Sequence, residues 1–181
     1  MSRKIVLITG ASRGLGKNAA LHLAEQGFDV IGTYHSKAGE AQTLVSTLQQ
    51  AGARAAMLQL DVGDSASFEA FAGALQDTLK RDFARDRLDV LVNNAGIGIN
   101  APFAETSEAQ FDQLLNIQLK GPFFLTQRLL PLLADGGRII NISTGLTRFA
   151  LPGYAAYAAM KGAMEVLTRY QAKELGPAAS A

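Results

Sequence analysis

Ile5-Val6-Leu7-Ile8-Thr9-Gly10-Ala11-Ser12-Arg13-Gly14-Leu15-Gly16 is the stretch on which the fold turns. Four consecutive apolar residues fit a parallel strand buried on both faces. A glycine turn follows at once, then a helical pattern from Lys17 to Gln26 that Gly27 closes as a C-cap. A glycine motif gains meaning from that strand–turn–helix context. Small residues let the backbone approach a pyrophosphate, and the helix start offers it unpaired N–H groups and the positive end of the dipole. Gly10, Ser12, Arg13, Gly14, Leu15 and Gly16 therefore form a candidate cradle. Without a ligand, the same residues would be a tight turn and nothing more.

The pattern then repeats. A second strand, Val30 to Tyr34, leads to the place where a dinucleotide fold meets the adenosine ribose. A carboxylate there would bond the ribose hydroxyls and repel a 2′-phosphate. The residues present are Tyr34-His35-Ser36-Lys37, with no acid, and Arg13 can reach the same place. His35 and Ser36 join the candidate cofactor contacts, and the balance favours NADP(H) over NAD(H). Helices are expected from Gly39 to Ala51 and from Ser65 to Leu79, around a strand from Ala56 to Leu60 that runs into Asp61-Val62. The charged stretch Lys80 to Arg87 reads as a solvated loop or a frayed helix end. Strand Val90 to Val92 delivers Asn93-Asn94-Ala95-Gly96. Successive βα units of this length imply a doubly wound parallel sheet with helices on both faces, three layers α/β/α, in one Rossmann domain spanning residues 1–181.

In the second half, Ser107 with Gln110 fits a capping box opening a long helix from Glu108 to Leu133, whose last turn Pro131 would kink or end. Gly136-Gly137 break it, and a strand from Arg138 to Ile142 ends at Ser143-Thr144. The final helix carries Tyr157-Ala158-Ala159-Met160-Lys161 and runs to Leu175, where Gly176-Pro177 supply a stop; Ala178 to Ala181 carry no pattern. A tyrosine and a lysine four apart share one helix face. An ammonium held there favours the phenolate, and such a tyrosine can give a proton to a carbonyl oxygen or take one from a hydroxyl.

Composition narrows the field. Seventeen basic and sixteen acidic residues leave a net charge of +1, with no footprint for nucleic acid or an anionic membrane. With no cysteine and two isolated histidines, His22 and His35, thiolate chemistry is excluded and no metal site is expected. The start, Met1-Ser2-Arg3-Lys4, lacks the form of a signal peptide and no apolar run reaches membrane-spanning length, so a cytoplasmic location is expected.

Taken together, Thr9 to Gly16, Asn93 to Gly96, Thr144 and Tyr157 to Lys161 resemble the short-chain dehydrogenases/reductases, in family order and over essentially the whole chain. The resemblance implies an NAD(P)-dependent oxidoreductase that interconverts a carbonyl and a secondary alcohol. It assigns Gly10, Gly14 and Gly16 to the cofactor loop, Asp61 and Val62 to adenine, and Asn93, Ala95 and Gly96 to the central sheet beside the cofactor. Tyr157 becomes the general acid/base, Lys161 the residue that holds the nicotinamide ribose and favours the phenolate, and both are implied as catalytic and as cofactor-binding residues. It also implies a homo-oligomer packed through the long helix and the tyrosine helix.

Two positions and the length of the chain depart from the family pattern. Its substrate-orienting serine lies thirteen residues before the tyrosine, where this chain has Thr144, with Ser143 beside it. Threonine keeps the hydroxyl, and strand alternation points the neighbour to the other face, so Thr144 is the candidate. The family's helix-bending asparagine, part of a proton relay to the lysine, is replaced by Gln118. Family members also run on for two further strands, a nicotinamide loop and a helical lid, so a C-terminally truncated member is expected. That leaves a second reading, a non-catalytic nucleotide-binding or interaction module, and a third, a fragment without a stable fold.

Overall fold

The computed structural model describes residues 3–176; Met1 and Ser2, the stop residue Pro177 and the run Ala178 to Ala181 lie outside them. Strands β1 (Ile5–Ile8), β2 (Asp29–Tyr34), β3 (Ala55–Gln59), β4 (Leu88–Asn93) and β5 (Leu133–Asn141) form one sheet in the order β3-β2-β1-β4-β5. Every pairing is parallel. Helices α1 (Gly14–Glu25), α2 (Ala38–Gln50), α3 (Phe68–Phe83), α4 (Glu108–Leu115), α5 (Gly121–Leu129) and α6 (Ala155–Leu175) complete a Rossmann-like α/β fold. The chain leaves β1 for β2 and β3 on one side, then crosses to β4 on the other. The β1/β4 seam is therefore the topological switch point, where open α/β sheets bind ligands.

Strand β1 shows why its continuous apolar run was needed. All four residues are fully buried, but Ile5 and Leu7 belong to the core against α3 and α5, while Val6 and Ile8 belong to the core against α1 and α2. Alternation sends each neighbour to an opposite layer, and both layers are built of buried apolar residues. Among the described residues no helix is long and apolar enough to cross a membrane.

Three elements differ from their sequence expectations. Helix α3 runs four residues past Leu79, because Phe83, set among the charges of 80–87, is buried in the core. Ala84 then ends it in the left-handed conformation (φ 51°). The expected single helix from Glu108 to Leu133 is interrupted by a π-turn at Asn116–Lys120 and closes in a 3₁₀ turn at Leu130–Leu132. The cause lies in Gly121-Pro122. Pro122 has no N–H to donate and its ring would press on the carbonyl four residues back, a conflict that a widened turn relieves. Gly121 approaches the Val62 carbonyl so closely that a methyl group there would collide with it. Finally, β5 begins at Leu133 rather than Arg138, since Leu133 pairs with Leu88 before the chain loops out and rejoins with Arg138 opposite Val90.

Candidate functional site

The carboxyl ends of β1 and β4 are tied together by one side chain. The Thr9 hydroxyl accepts hydrogen bonds from the backbone N–H groups of Asn94 and Ala95, both at 3.0 Å. Asn94 returns the contact, its Nδ2 donating to the carbonyls of Thr9 (2.8 Å) and Gly10 (3.2 Å). The glycine turn and the Asn-Asn-Ala-Gly turn are thus one rigid rim. Thr9 and Asn94 lie inside the motifs read from sequence, yet neither was singled out; a polar pair at adjacent strand ends was the available signal.

Above that rim opens a cleft of about 490 Å³. Its floor is the glycine turn with the first residues of α1: Gly10, Ser12, Arg13, Gly14, Leu15 and Gly16. No side chain caps this helix start, and its first turn carries no acid. Its N–H groups therefore face the cleft with the positive end of the dipole unopposed. A methyl at Gly16 would collide with the Gly10 carbonyl and the Asn94 amide, so only glycine lets the helix start this close to β1. The cradle fits a pyrophosphate: bare backbone donors, no competing carboxylate and no Cβ in the way.

At one end of the cleft stand Arg13, His35, Ser36 and Lys37, which gives that end a basic character. His35 Nε2 lies 3.6 Å from Asp61 Oδ2, and Asp61 accepts a hydrogen bond from the Gly63 N–H at 2.8 Å. Asp61 and Val62 form the adjoining wall, and Ala95 and Gly96 the rim from β4. Asn93 is not on the surface of the cleft. It is buried beneath it, its Nδ2 donating to Thr126 Oγ1 (3.0 Å) and Asn141 Oδ1 (2.8 Å). This bracing couples β4 to α5 and β5.

Tyr157 and Lys161 enter the opposite end from α6. Lys161 is buried and donates from Nζ to the Ile142 carbonyl at 2.8 Å; the ammonium lies 6.0 Å from the centre of the Tyr157 ring. Burial pushes the Lys161 pKa below that of an ordinary lysine. Its remaining two donors are open to a ligand. Tyr154 packs edge-on to Tyr157, with ring centres 6.3 Å apart.

Two hydroxyls end β5, and they are used differently. Ser143 is on the cleft wall but donates to Glu165 Oε1 at 2.8 Å. Thr144 is not on that wall; its Oγ1 accepts from the Leu146 N–H at 3.4 Å and caps the following 3₁₀ turn. Gln118, in the π-turn, is buried and reaches the cleft. Its Nε2 donates to the Ile97 carbonyl, and its Oε1 has no partner among the described residues. The helix irregularity expected of an asparagine is present with glutamine in its place, as a π-turn directly before Gly121-Pro122.

The chain is also similar to proteins already known. The family model described as short chain dehydrogenase matches residues 4–179. A hydroxynaphthalene reductase-like protein, Arp2, of Metarhizium brunneum is 33% identical over 177 residues, covering 97% of this chain and 64% of that protein. A short-chain type dehydrogenase/reductase of Picea abies is 34% identical over 182 residues, with 95% and 65% covered. The chain thus spans about two thirds of the length of these curated relatives. Among solved structures, landomycin C-6 ketoreductase LanV with bound NADP and rabelomycin superimposes with a TM-score of 0.92 at 35% identity, covering 97% of this chain and 71% of that one. The fold, the rim of glycines and asparagines and these matches lead to one conclusion: the chain belongs to the short-chain dehydrogenase family.

Proposed function

We propose that this chain is an NADP(H)-preferring oxidoreductase that interconverts a small-molecule carbonyl and a secondary alcohol. The observation that carries the reading is that one cleft at the switch point gathers an uncapped glycine cradle, a basic pocket at the end of β2 and the Tyr157–Lys161 pair. LanV, solved with NADP bound, is a ketoreductase of the same fold, which supports the cofactor and the reaction class.

The nicotinamide, when bound, supplies or accepts hydride. The other roles fall to the chain. Backbone N–H groups of residues 12–16 would hold the pyrophosphate, those of Gly10 and Ala11 being spent on Thr33, and Arg13, His35, Ser36 and Lys37 would hold a 2′-phosphate. Asp61 and Val62 flank the adenine, and the free donors of Lys161 hold ribose hydroxyls. Tyr157 gives its proton to the substrate oxygen in reduction and receives one in oxidation. Thr144 is assigned the second bond to that oxygen, although of the two hydroxyls only Ser143 lines the cleft. Bond accounting favours it over Ser143, whose single proton is already given to a carboxylate in a charge-assisted bond. The Thr144 oxygen only accepts, so its proton is uncommitted. A homo-oligomer and a cytoplasmic location belong to the same proposal. The apolar groove between α5 and α6, lined by Phe123, Leu130, Val166 and Tyr170, supports the former.

The test is oxidation of NADPH by a panel of ketones and aldehydes. Thr144→Ala is expected to lower kcat/KM by about a hundredfold, the usual effect of losing one donor to a developing oxyanion, and Thr144→Ser to restore it. An unchanged Thr144→Ala would transfer the role to Ser143. NADPH binding without turnover on any carbonyl would favour the non-catalytic module.

A further inference from the structure

Helix α6 carries a third polar side chain in line with Tyr157 and Lys161. Glu165 lies one turn beyond the lysine, on the same face by the spacing of four. Its Oε1 accepts from Ser143 Oγ and from Thr147 Oγ1, each at 2.8 Å. These two residues bracket Thr144. We propose that Glu165 is a positioning residue, whose carboxylate clamps Ser143 and Thr147 to α6 and so fixes Thr144 relative to Tyr157; the proposal rests on the oxidoreductase reading.

Several observations bear on it. The segment after β5 is otherwise held lightly: Thr144 Oγ1 receives Leu146 N–H at 3.4 Å, and Thr147 N–H reaches the Thr144 carbonyl at 3.5 Å. The Thr147 hydroxyl lies 2.9 Å from that same carbonyl, so its one proton chooses between the turn and the carboxylate. The 2.8 Å bonds to Glu165 are the shortest that leave this turn for another element, and bonds to an ionised acceptor are the stronger kind. The bonds from Ser143 and Thr147 hold Glu165 below the usual carboxylate range, with Arg148 and Arg169 adding a weaker pull. Neither arginine forms an ion pair with Glu165 among the described residues, which leaves its oxygens to the hydroxyls. Lys161 is engaged elsewhere, on the Ile142 carbonyl, so the clamp is independent of it. Ile142, Ser143 and Thr147 are thus each fastened to one face of the helix that bears the proton donor.

The test compares the full chain with Glu165→Ala and Glu165→Gln, the latter keeping an acceptor oxygen. Amide hydrogen exchange is expected to speed up by about tenfold or more at Leu146 to Arg148 in Glu165→Ala, and to recover in Glu165→Gln. Exchange in β1 stays unchanged. With a carbonyl that the wild type reduces, kcat falls about a hundredfold in Glu165→Ala at unchanged KM for NADPH, the cost expected of a misplaced group, and Glu165→Gln restores most of it. Unchanged exchange at 146–148, acceleration spread equally over β1, or a loosened turn with unaltered kcat would each overturn the proposal. A wild type that binds NADPH but reduces nothing fails the oxidoreductase reading instead, and the exchange comparison still decides whether Glu165 holds the turn.

Discussion

Tyr157→Phe is expected to lower kcat by about 10²–10⁴-fold while the melting temperature and the NADPH dissociation constant stay at wild-type values. The separation follows from the geometry. The phenol oxygen has no protein hydrogen-bond partner among the described residues, so deleting it strands no buried group. The ring, half-buried and edge-on to Tyr154, is retained by phenylalanine. Of the cofactor's expected anchors, the α1 start and the basic pocket lie away from the ring, and Lys161 beside it keeps its bond to the Ile142 carbonyl. What phenylalanine lacks is the proton. Steady-state kinetics with a titration of NADPH checks the result, and Tyr154→Phe serves as control. Full activity in Tyr157→Phe would remove Tyr157 from the mechanism.

The largest expected effect on stability lies at the far end of the sheet. Asp29 opens β2 and is fully buried. Its Oδ1 accepts the Arg54 backbone N–H at 2.9 Å, and its Oδ2 accepts Arg54 Nε at 2.8 Å and Nη2 at 2.7 Å. Arg3 Nε stands 3.5 Å away, and the Arg54 guanidinium continues to the Phe83 carbonyl at 2.7 Å and over the Phe83 ring. One carboxylate therefore joins the N-terminal ends of β1, β2 and β3 to the end of α3. Asp29→Ala strips the Arg54 guanidinium of its carboxylate and its backbone N–H of an acceptor. Breaking a buried pair costs about 3–5 kcal/mol, and since Arg54 is half exposed the lower figure applies. Thermal denaturation should show a fall on the order of 10 °C. The site lies at the opposite end of the strands, so residual NADPH binding below the transition should be unaltered. A shift of under about 2 °C would mean that water replaces the carboxylate without penalty.

Sheet class and glycine cradle were legible because they rest on local pattern. A continuous apolar run followed directly by Gly10 and Gly16 has few other uses, and β1 indeed divides its four residues between two cores. The absence of an acid after Tyr34 likewise shows in one short stretch, and Arg13, His35, Ser36 and Lys37 line one end of the cleft. Features set by contacts distant in sequence were not legible. Phe83 looked like one apolar residue in a charged run until the core claimed it. The break in the long helix depended on Gly121-Pro122 and on a close approach to Val62, fifty-nine positions away. Glu165 was in plain view as the next turn after Tyr157 and Lys161. Its partners, however, come from the end of β5, and only the fold brings Ser143 and Thr147 beneath it. Asn93 shows the converse: the resemblance gave its motif the steadying of the central sheet beside the cofactor, and its side chain braces Thr126 and Asn141 below the cleft.

The most direct measurement is thermal denaturation of the 181-residue protein alone, with NADPH and with NADH at equal concentration. At a hundred times its dissociation constant NADPH should stabilise the native state by about 2.7 kcal/mol, a rise of about 5–10 °C, with a smaller rise for NADH. A cooperative transition that responds to neither dinucleotide would contradict the assignment of the cleft.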